Sequence, residues 1–376
     1  MAIEALTPRS YLRRPLVVVV AVIALIFGLS HWQLSTFVIT PGNATNVPPL
    51  IKVDSLQTNK HPDQIMLVDV YLSQLNVWSW LLSQFQSHQE YVTIHELLQP
   101  GIPVNQLDAQ GFLQMQDAKQ AAEVSALRAL GWKIPLRPSG AIVTGVFSHS
   151  PAAKAGIHVG DEFISVNSTP VTNACTLLQA IAKLPASTVI SAEVKKVKIS
   201  AKGALSWSGA SMVHLTTAAV AKSQSSDSCG GEVVARSSYV GVSSEDGISS
   251  PLPAHFTINT NYIGGPSAGL AMTLSLIDKL SAGSLTGHTP IAVSGTMDLY
   301  GNVGDVGGVA EKTVAVSATG AKYFIVPQVE VGVARANARP GLKIIGVTTL
   351  QEALRALRAI GGGPIRPLSS PVSAKN

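Results

Sequence analysis

Ile258-Asn259-Thr260-Asn261-Tyr262-Ile263-Gly264-Gly265-Pro266-Ser267-Ala268-Gly269-Leu270 is the stretch on which the reading of this chain turns. Its first half has the composition of a strand. Its second half turns through glycines into a helix predicted from about Ser267 to Leu280. Pro266 suits the first helical turn, where its missing N–H is no loss. Gly265, Pro266 and Ala268 keep the surroundings of Ser267 small, so another backbone has room to approach the hydroxyl. The helix N-terminus adds unpaired N–H groups and the positive end of a dipole, the kind of donors that stabilise an oxyanion. Lys312 follows Ser267 by 45 residues. It lies in Gly304-Asp305-Val306-Gly307-Gly308-Val309-Ala310-Glu311-Lys312-Thr313, on the first turn of a helix predicted to run from near Val309 to Ala318. Between the two come a strand (Ile291–Val293), Ser294-Gly295-Thr296, and a turn over Leu299–Gly304; another strand, Tyr323–Pro327, follows the helix.

A serine hydroxyl is a poor nucleophile until a neighbouring base takes its proton, and a lysine is a base only when neutral. Val306, Val309, Val314 and Ala315 make an apolar setting that disfavours the ammonium of Lys312, and a helix N-terminus disfavours it further. Taken singly, a Ser in a glycine-rich turn or a Lys on a first helical turn is commonplace. The ordered set is not: over roughly Tyr239 to Ile360 it resembles the proteolytic domain of the Lon family of serine proteases, with Gly265-Pro266-Ser267-Ala268-Gly269 and Gly307-Gly308-x-x-x-Lys312 carrying the match. The resemblance implies a dyad of Ser267 as nucleophile and Lys312 as base, with Ser294 at the position of a hydroxyl residue that orients the lysine. It also implies assembly into a homo-oligomeric ring, a hexamer by family resemblance. The chain departs from the ATP-dependent members at Gly264 and Thr296, where those have acidic residues.

Residues 138–200 form a second unit. Ala141-Ile142-Val143 is a short strand, followed by Ser150-Pro151-Ala152-Ala153-Lys154-Ala155-Gly156-Ile157 and Gly160-Asp161-Glu162-Phe163-Ile164-Ser165-Val166-Asn167-Ser168. A helix over Thr176–Leu184 and a strand over Val189–Val197 complete it. A short helix that ends at Gly156 uses glycine's freedom at a left-handed C-cap. The unit resembles the PDZ domains attached to exported bacterial proteases. With the apolar N-terminus, the whole chain is similar to the PDZ-containing Lon-like proteases of Gram-positive bacteria. Such domains add an extended peptide to a sheet edge; here the loop expected to receive it is Ser139-Gly140 with Ala141 and Ile142, although it lacks the usual Gly-hydrophobic-Gly-hydrophobic pattern.

Leu16 to Leu29 (LVVVVAVIALIFGL) is uncharged, follows Arg9, Arg13 and Arg14, and precedes the next basic side chain, Lys52. The positive-inside rule then sets the N-terminus in the cytoplasm and the remainder outside. No small-x-small cleavage site follows, which favours an uncleaved anchor over a signal peptide.

The 376 residues, 46% hydrophobic, suffice for more than one core. A net charge of +5 is spread over only 13% charged residues, too dilute for a nucleic-acid face; the tight group Lys195, Lys196 and Lys198 reads as a solvated strand end or loop. No metal site is expected, since neither Cys175 nor Cys229 sits in a CxxC pair and no His cluster has zinc spacing. The two cysteines form one disulfide or remain two buried thiols; both readings stand. Glu311 occupies the place of the glycine a P-loop needs before Lys312-Thr313, so neither nucleotide nor other cofactor is expected. His255 and His288 with Asp278 or Asp298 offer a rival triad, but no local motif places them.

The expected architecture is α+β with an N-terminal transmembrane helix, a PDZ-like β-rich module and a Lon-type proteolytic domain. The boundaries are a cytoplasmic tail (1–14), an anchor (15–34), a juxtamembrane region able to contribute strands to the protease (35–135), the PDZ-like unit (136–202), the proteolytic domain (203–362) and a flexible tail (363–376). The expected activity is that of a single-pass, cell-membrane serine endopeptidase, independent of ATP, that takes extracytoplasmic proteins or peptides. Its alternative is a non-catalytic, membrane-anchored PDZ scaffold.

Overall fold

A computed structural model of the chain describes residues 10–220, 226–229 and 231–369. Parts of three sequence assignments lie outside the described residues: residues 1–9 of the N-terminal tail, 223–225 and 230 of the polar Ser223–Gly231 loop, and 370–376 of the C-terminal tail. The chain begins with helix α1 (Ser10–His31), then strands β1 (Gln33–Asn46), β2 (Ile51–Val53) and β3 (Ile65–Asn76). Helix α2 (Val77–Ser83), strand β4 (Glu90–Thr93) and the long helix α3 (Leu107–Ala129) follow. Next come β5 (Arg137–Val146), β6 (Glu162–Val166), helix α4 (Ala174–Ala182), β7 (Val189–Ile199), β8 (Leu205–Thr216) and β9 (Val242–Ser249). The last part holds β10 (Phe256–Ile258), α5 (Gly269–Lys279), β11 (Ile291–Val293), α6 (Val309–Ser317), β12 (Tyr323–Pro327), β13 (Lys343–Val347) and α7 (Leu350–Ala359).

Two six-stranded sheets result. The first has the order β13-β12-β11-β3-β1-β4, so residues from both ends of the chain share one sheet. Its strands from β13 to β3 run parallel, with Ile291 opposite Ile65 and Tyr323, while β1 is antiparallel to β3 and β4. Parallel neighbours require crossovers, and α6 supplies one between β11 and β12. Helices α3 and α5 cover one face; Leu127, Ala122, Leu270, Met272 and Leu274 are fully buried there with Ile65 and Val293. The second sheet has the order β9-β5-β6-β7-β8, with Thr169–Pro170 attached to β6, and closes a separate core around Phe163, Val194 and Ile190. It takes in strands up to Ser249, beyond the 136–202 unit expected. Lys195 and Lys196 are not merely solvated: they pair with Glu162 (3.0 Å) and Asp161 (2.8 Å).

The expected fold class is corrected in two respects. The large sheet mixes parallel and antiparallel pairs with helical crossovers, so the protein is mixed α/β rather than α+β. The expected transmembrane helix is not found either: among the described residues no helix is long and apolar enough to cross a membrane. The uncharged run Leu16–Leu29 has 14 residues, short of the ~20 that a span needs.

Helix α3 joins the two sheets. Gln106, just before it, exchanges two hydrogen bonds with the Val146 backbone (2.8 and 2.9 Å), and Gln110 and Gln120 donate to the carbonyls of Thr144 and Ile248 (both 2.7 Å). On the same face, burial and the Glu245 carboxylate push the Asp117 carboxyl up to about 8. An unfolded Asp titrates near ~4, so the native state holds the extra proton between these values and stability falls as pH rises through them. Thermal unfolding should therefore show a lower Tm at pH 9 than at pH 6. Asp117→Asn should remove ~2–4 °C of that loss; an unchanged difference in the variant contradicts this assignment.

Candidate active site

Ser267 sits in the turn before α5, half-buried. The turn is fastened on two sides. Gly265, at φ +83°, donates its N–H to the Gly111 carbonyl of α3 at 2.7 Å. Gly295 donates to the Ser267 carbonyl at 2.9 Å and accepts from the Leu270 N–H at 3.1 Å. Gly269 permits this approach, because a Cβ there would lie 2.8 Å from the Met297 nitrogen. The helix begins two residues later than its sequence suggests, at Gly269, with Ala268 as its N-cap. Gly269 N–H is taken by the Pro266 carbonyl at 3.1 Å. The N–H groups of Ser267 and Ala268 donate no hydrogen bond among the described residues, which leaves them available to an incoming oxygen.

Ser294 follows β11 directly, so the Gly295 bond brings its backbone beside Ser267. Its N–H donates to the Ile325 carbonyl of β12 (2.9 Å), while its hydroxyl is fully buried and lacks a partner among the described residues. Lys312 lies on the first turn of α6, 2% exposed. Gly308, in left-handed conformation (φ +67°), starts this helix; a Cβ there would meet Ile39 and Val70 at 3.0 and 3.1 Å. The glycine thus lets α6 settle on β1 and β3. Burial lowers the Lys312 amine to about 8, opposed by the carboxylates of Glu330 and Asp69, which raise it. Glu330 also anchors the approach to α6, accepting the Val306 N–H at 2.7 Å. No hydrogen bond joins the Ser267 hydroxyl to the Lys312 amine among the described residues.

The rival histidines lie elsewhere: His288 pairs with Asp63 at 3.2 Å, and His255 is exposed. Among the described residues no cluster of three or more His, Cys, Asp or Glu is arranged to hold a metal.

In the second sheet, Ser139, Gly140, Ala141 and Ile142 lie on β5, an internal strand. Ala141 and Ile142 face Asp246 and Glu245 of β9 on one side and Phe163 and Glu162 of β6 on the other. None of the four offers a free edge to a peptide. The edge strand is β9, and α4 lies beside it, its Ala174 N–H bonded to Asp246 at 3.0 Å. Tyr239-Val240-Gly241-Val242, with Gly241 at φ +83°, leads into β9. This hydrophobic-Gly-hydrophobic signal stands in the sequence some 100 residues after the segment where sequence reasoning looked for it. Cys175 at the start of α4 is disulfide-bonded to Cys229, which resolves the alternatives left open above.

Comparison with known proteins finds a family match for each of these two parts of the chain. Residues 236–359 match the Lon protease (S16) C-terminal proteolytic domain, and residues 121–195 match the PDZ domain. The Lon protease of Rickettsia conorii is 32% identical over 104 residues, 27% of this chain and 13% of that protein. Lon protease 2 of Bacillus subtilis is 34% identical over 107 residues, 27% of this chain and 19% of that one. The chain therefore spans less than a fifth of the length of either relative. Among solved structures, the PDZ domain of the SdrC-like protein from Listeria monocytogenes overlaps 28% of this chain and 87% of its own, at 13% identity and a TM-score of 0.21.

Because a Cβ on Gly269 falls within 3 Å of Met297, Gly269→Ala must displace either the helix start or the Met297 strand. It should cost about 1–3 kcal/mol of stability, as overpacking does, read as a fall in the denaturant midpoint. Wild-type stability in the variant contradicts the close approach.

Proposed function

We propose that this protein is a serine endopeptidase in which Ser267 is the nucleophile and Lys312 the general base, acting on polypeptides in an extracytoplasmic compartment. The observation that carries the reading is the state of Lys312. It is a fully buried amine on a helix that starts at a pinned glycine, held near 8 by burial against two carboxylates. A structural lysine would normally keep its ammonium in water. An amine near 8 is neutral in an appreciable fraction at neutral pH, and that is the condition for a base.

In the proposed reaction the neutral Lys312 amine takes the Ser267 proton as Oγ attacks the substrate carbonyl. The oxyanion that forms accepts the free N–H groups of Ser267 and Ala268. The Lys312 ammonium then protonates the departing amine, leaving an acyl-serine. Water, deprotonated by the same amine, releases the acid and restores Ser267. Ser294 acts as a positioning residue for the amine, its partnerless hydroxyl supplying the donor or acceptor. The groove between β9 and α4 takes an extended segment of substrate by strand addition. The Cys175–Cys229 disulfide supports an oxidising compartment.

Cleavage of casein and of fluorogenic peptides by the purified protein tests this reading. Ser267→Ala and Lys312→Ala should each lower kcat/KM by at least ~10³-fold. The wild-type rate should rise with pH through about 8 as the amine loses its proton. Unchanged cleavage in either variant sinks the dyad, and no cleavage by wild type on any substrate favours the PDZ scaffold. For the compartment, maleimide should label neither cysteine in native protein taken from cells without reductant; ready labelling of both argues against an oxidising environment.

A further inference from the structure

A cleft of about 540 Å³ opens away from the groove between β9 and α4. It lies where the hairpin between β7 and β8 approaches the ribbon formed by β10 and β2, with α3 as its third wall. Its size is that of a ligand site. Three lysines line it, one from each wall: Lys202 at the hairpin tip, Lys52 on β2 and Lys119 on α3. No carboxylate lines it among the described residues. Burial lowers the Lys119 amine and pushes the carboxyl of Glu123, one turn along α3 from it, up to about 7. Cations in a cleft walled by protein focus a positive field within it.

The cleft is built rather than incidental. Its hairpin tip is closed by Ser200 N–H to the Ala204 carbonyl and Gly203 N–H to the Ser200 carbonyl, both 2.9 Å. Gly203, at φ +79°, presses on α3 so closely that a Cβ there would run into the Phe112 ring. Phe112 neighbours Gly111, whose carbonyl holds the Gly265 N–H. The floor is the segment Thr257–Asn261, the end of β10 and the residues that lead from it into a turn at Asn261. One edge of β10 pairs with β2, and the other pairs with no strand among the described residues. This floor runs along the chain into the nucleophile turn, Asn261 standing six residues before Ser267.

We infer that this lysine-lined cleft is a specificity site that takes an acidic, extended stretch of the polypeptide substrate beside the bond presented to Ser267. The inference rests on the proteolytic reading above. The open edge of β10 provides backbone hydrogen bonds for an extended chain, and the lysines select glutamate and aspartate side chains. Pro49 and Leu50 add apolar contact for the methylene groups of those side chains.

Two readouts separate this inference from the proteolytic one. Cleavage of a fluorogenic peptide rich in glutamate is compared with that of its glutamine counterpart, for wild type and for a Lys52→Ala/Lys202→Ala double variant. Binding of the same two peptides to Ser267→Ala protein is followed by fluorescence anisotropy at low and high salt, and circular dichroism checks that each variant is folded. The expected result is a KM roughly tenfold lower for the glutamate peptide, the order that two or three partly exposed ion pairs supply. The double variant should lose that preference, mainly through KM. Binding to Ser267→Ala should favour the glutamate peptide and weaken with salt. Lysine-dependent binding without cleavage by wild type would refute the proteolytic reading and leave the cleft assigned. Equal cleavage and equal binding of the two peptides, or tighter binding of a single-stranded oligonucleotide than of the glutamate peptide, overturns the inference.

Discussion

The amide of Gly265 donates to the carbonyl of Gly111, and much of the molecule is arranged around that contact. Two backbones meet there, and side chains are absent on both sides: a Cβ on Gly264 would come within 3.1 Å of the Gly111 carbonyl carbon. Through this bond the turn that carries Ser267 is tied to α3, the helix that also carries the glutamine contacts to the PDZ sheet. The same helix steadies the other side of the site, since Ser125 and Arg128 bond to the carbonyls of Asp298 and Leu299 at 3.0 and 2.8 Å. The second sheet and the turn that carries Ser267 are thus both fastened to the same helix.

The second constraint is electrostatic. An ammonium removed from water is costly, and its usual answer is to lose its proton. Lys312 is nearly enclosed, and burial alone would drive its amine further down. Asp69 and Glu330 hold it back, so its level is a balance between desolvation and two carboxylates reached from different elements, β3 and the turn after β12. Neither carboxylate is close to Lys312 in sequence. The balance is a property of the tertiary structure, in which Gly308 sets how deeply α6 sinks onto the sheet.

This explains what could and could not be read from the chain alone. The elements around Ser267 and Lys312 were legible because each is local: glycines at forced conformations, a proline beside a helix start, and apolar runs of strand length such as Ile291–Val293 and Tyr323–Pro327. Segments joined only by distant pairing were not. β9 completes the PDZ sheet from a position after β8, so Ser139–Ile142 looked like a groove strand when they are internal. Helix α3 starts at Leu107 with little helical signature in the sequence, because its first turns face the second sheet with glutamines rather than with an apolar stripe. The N-terminal run looked long enough to span only when polar residues were counted in.

The placement of the PDZ sheet within the chain bears on how the protein is made. Strand β3 is finished by Asn76, but its parallel partner β11 begins at Ile291, so the central pair of the large sheet waits until most of the polypeptide has been synthesised. Pairings of such long separation form slowly. The second sheet, complete by Ser249, has all its strands in hand much earlier. It can be finished while β3 still lacks its edge partner β11 and the cover of α5, and α3, already joined to it through Gln106 and Gln110, then offers a formed surface for the later half. The PDZ unit is in this sense a template within the chain, and the interval before Ile291 emerges is when the nascent protein is most exposed to aggregation.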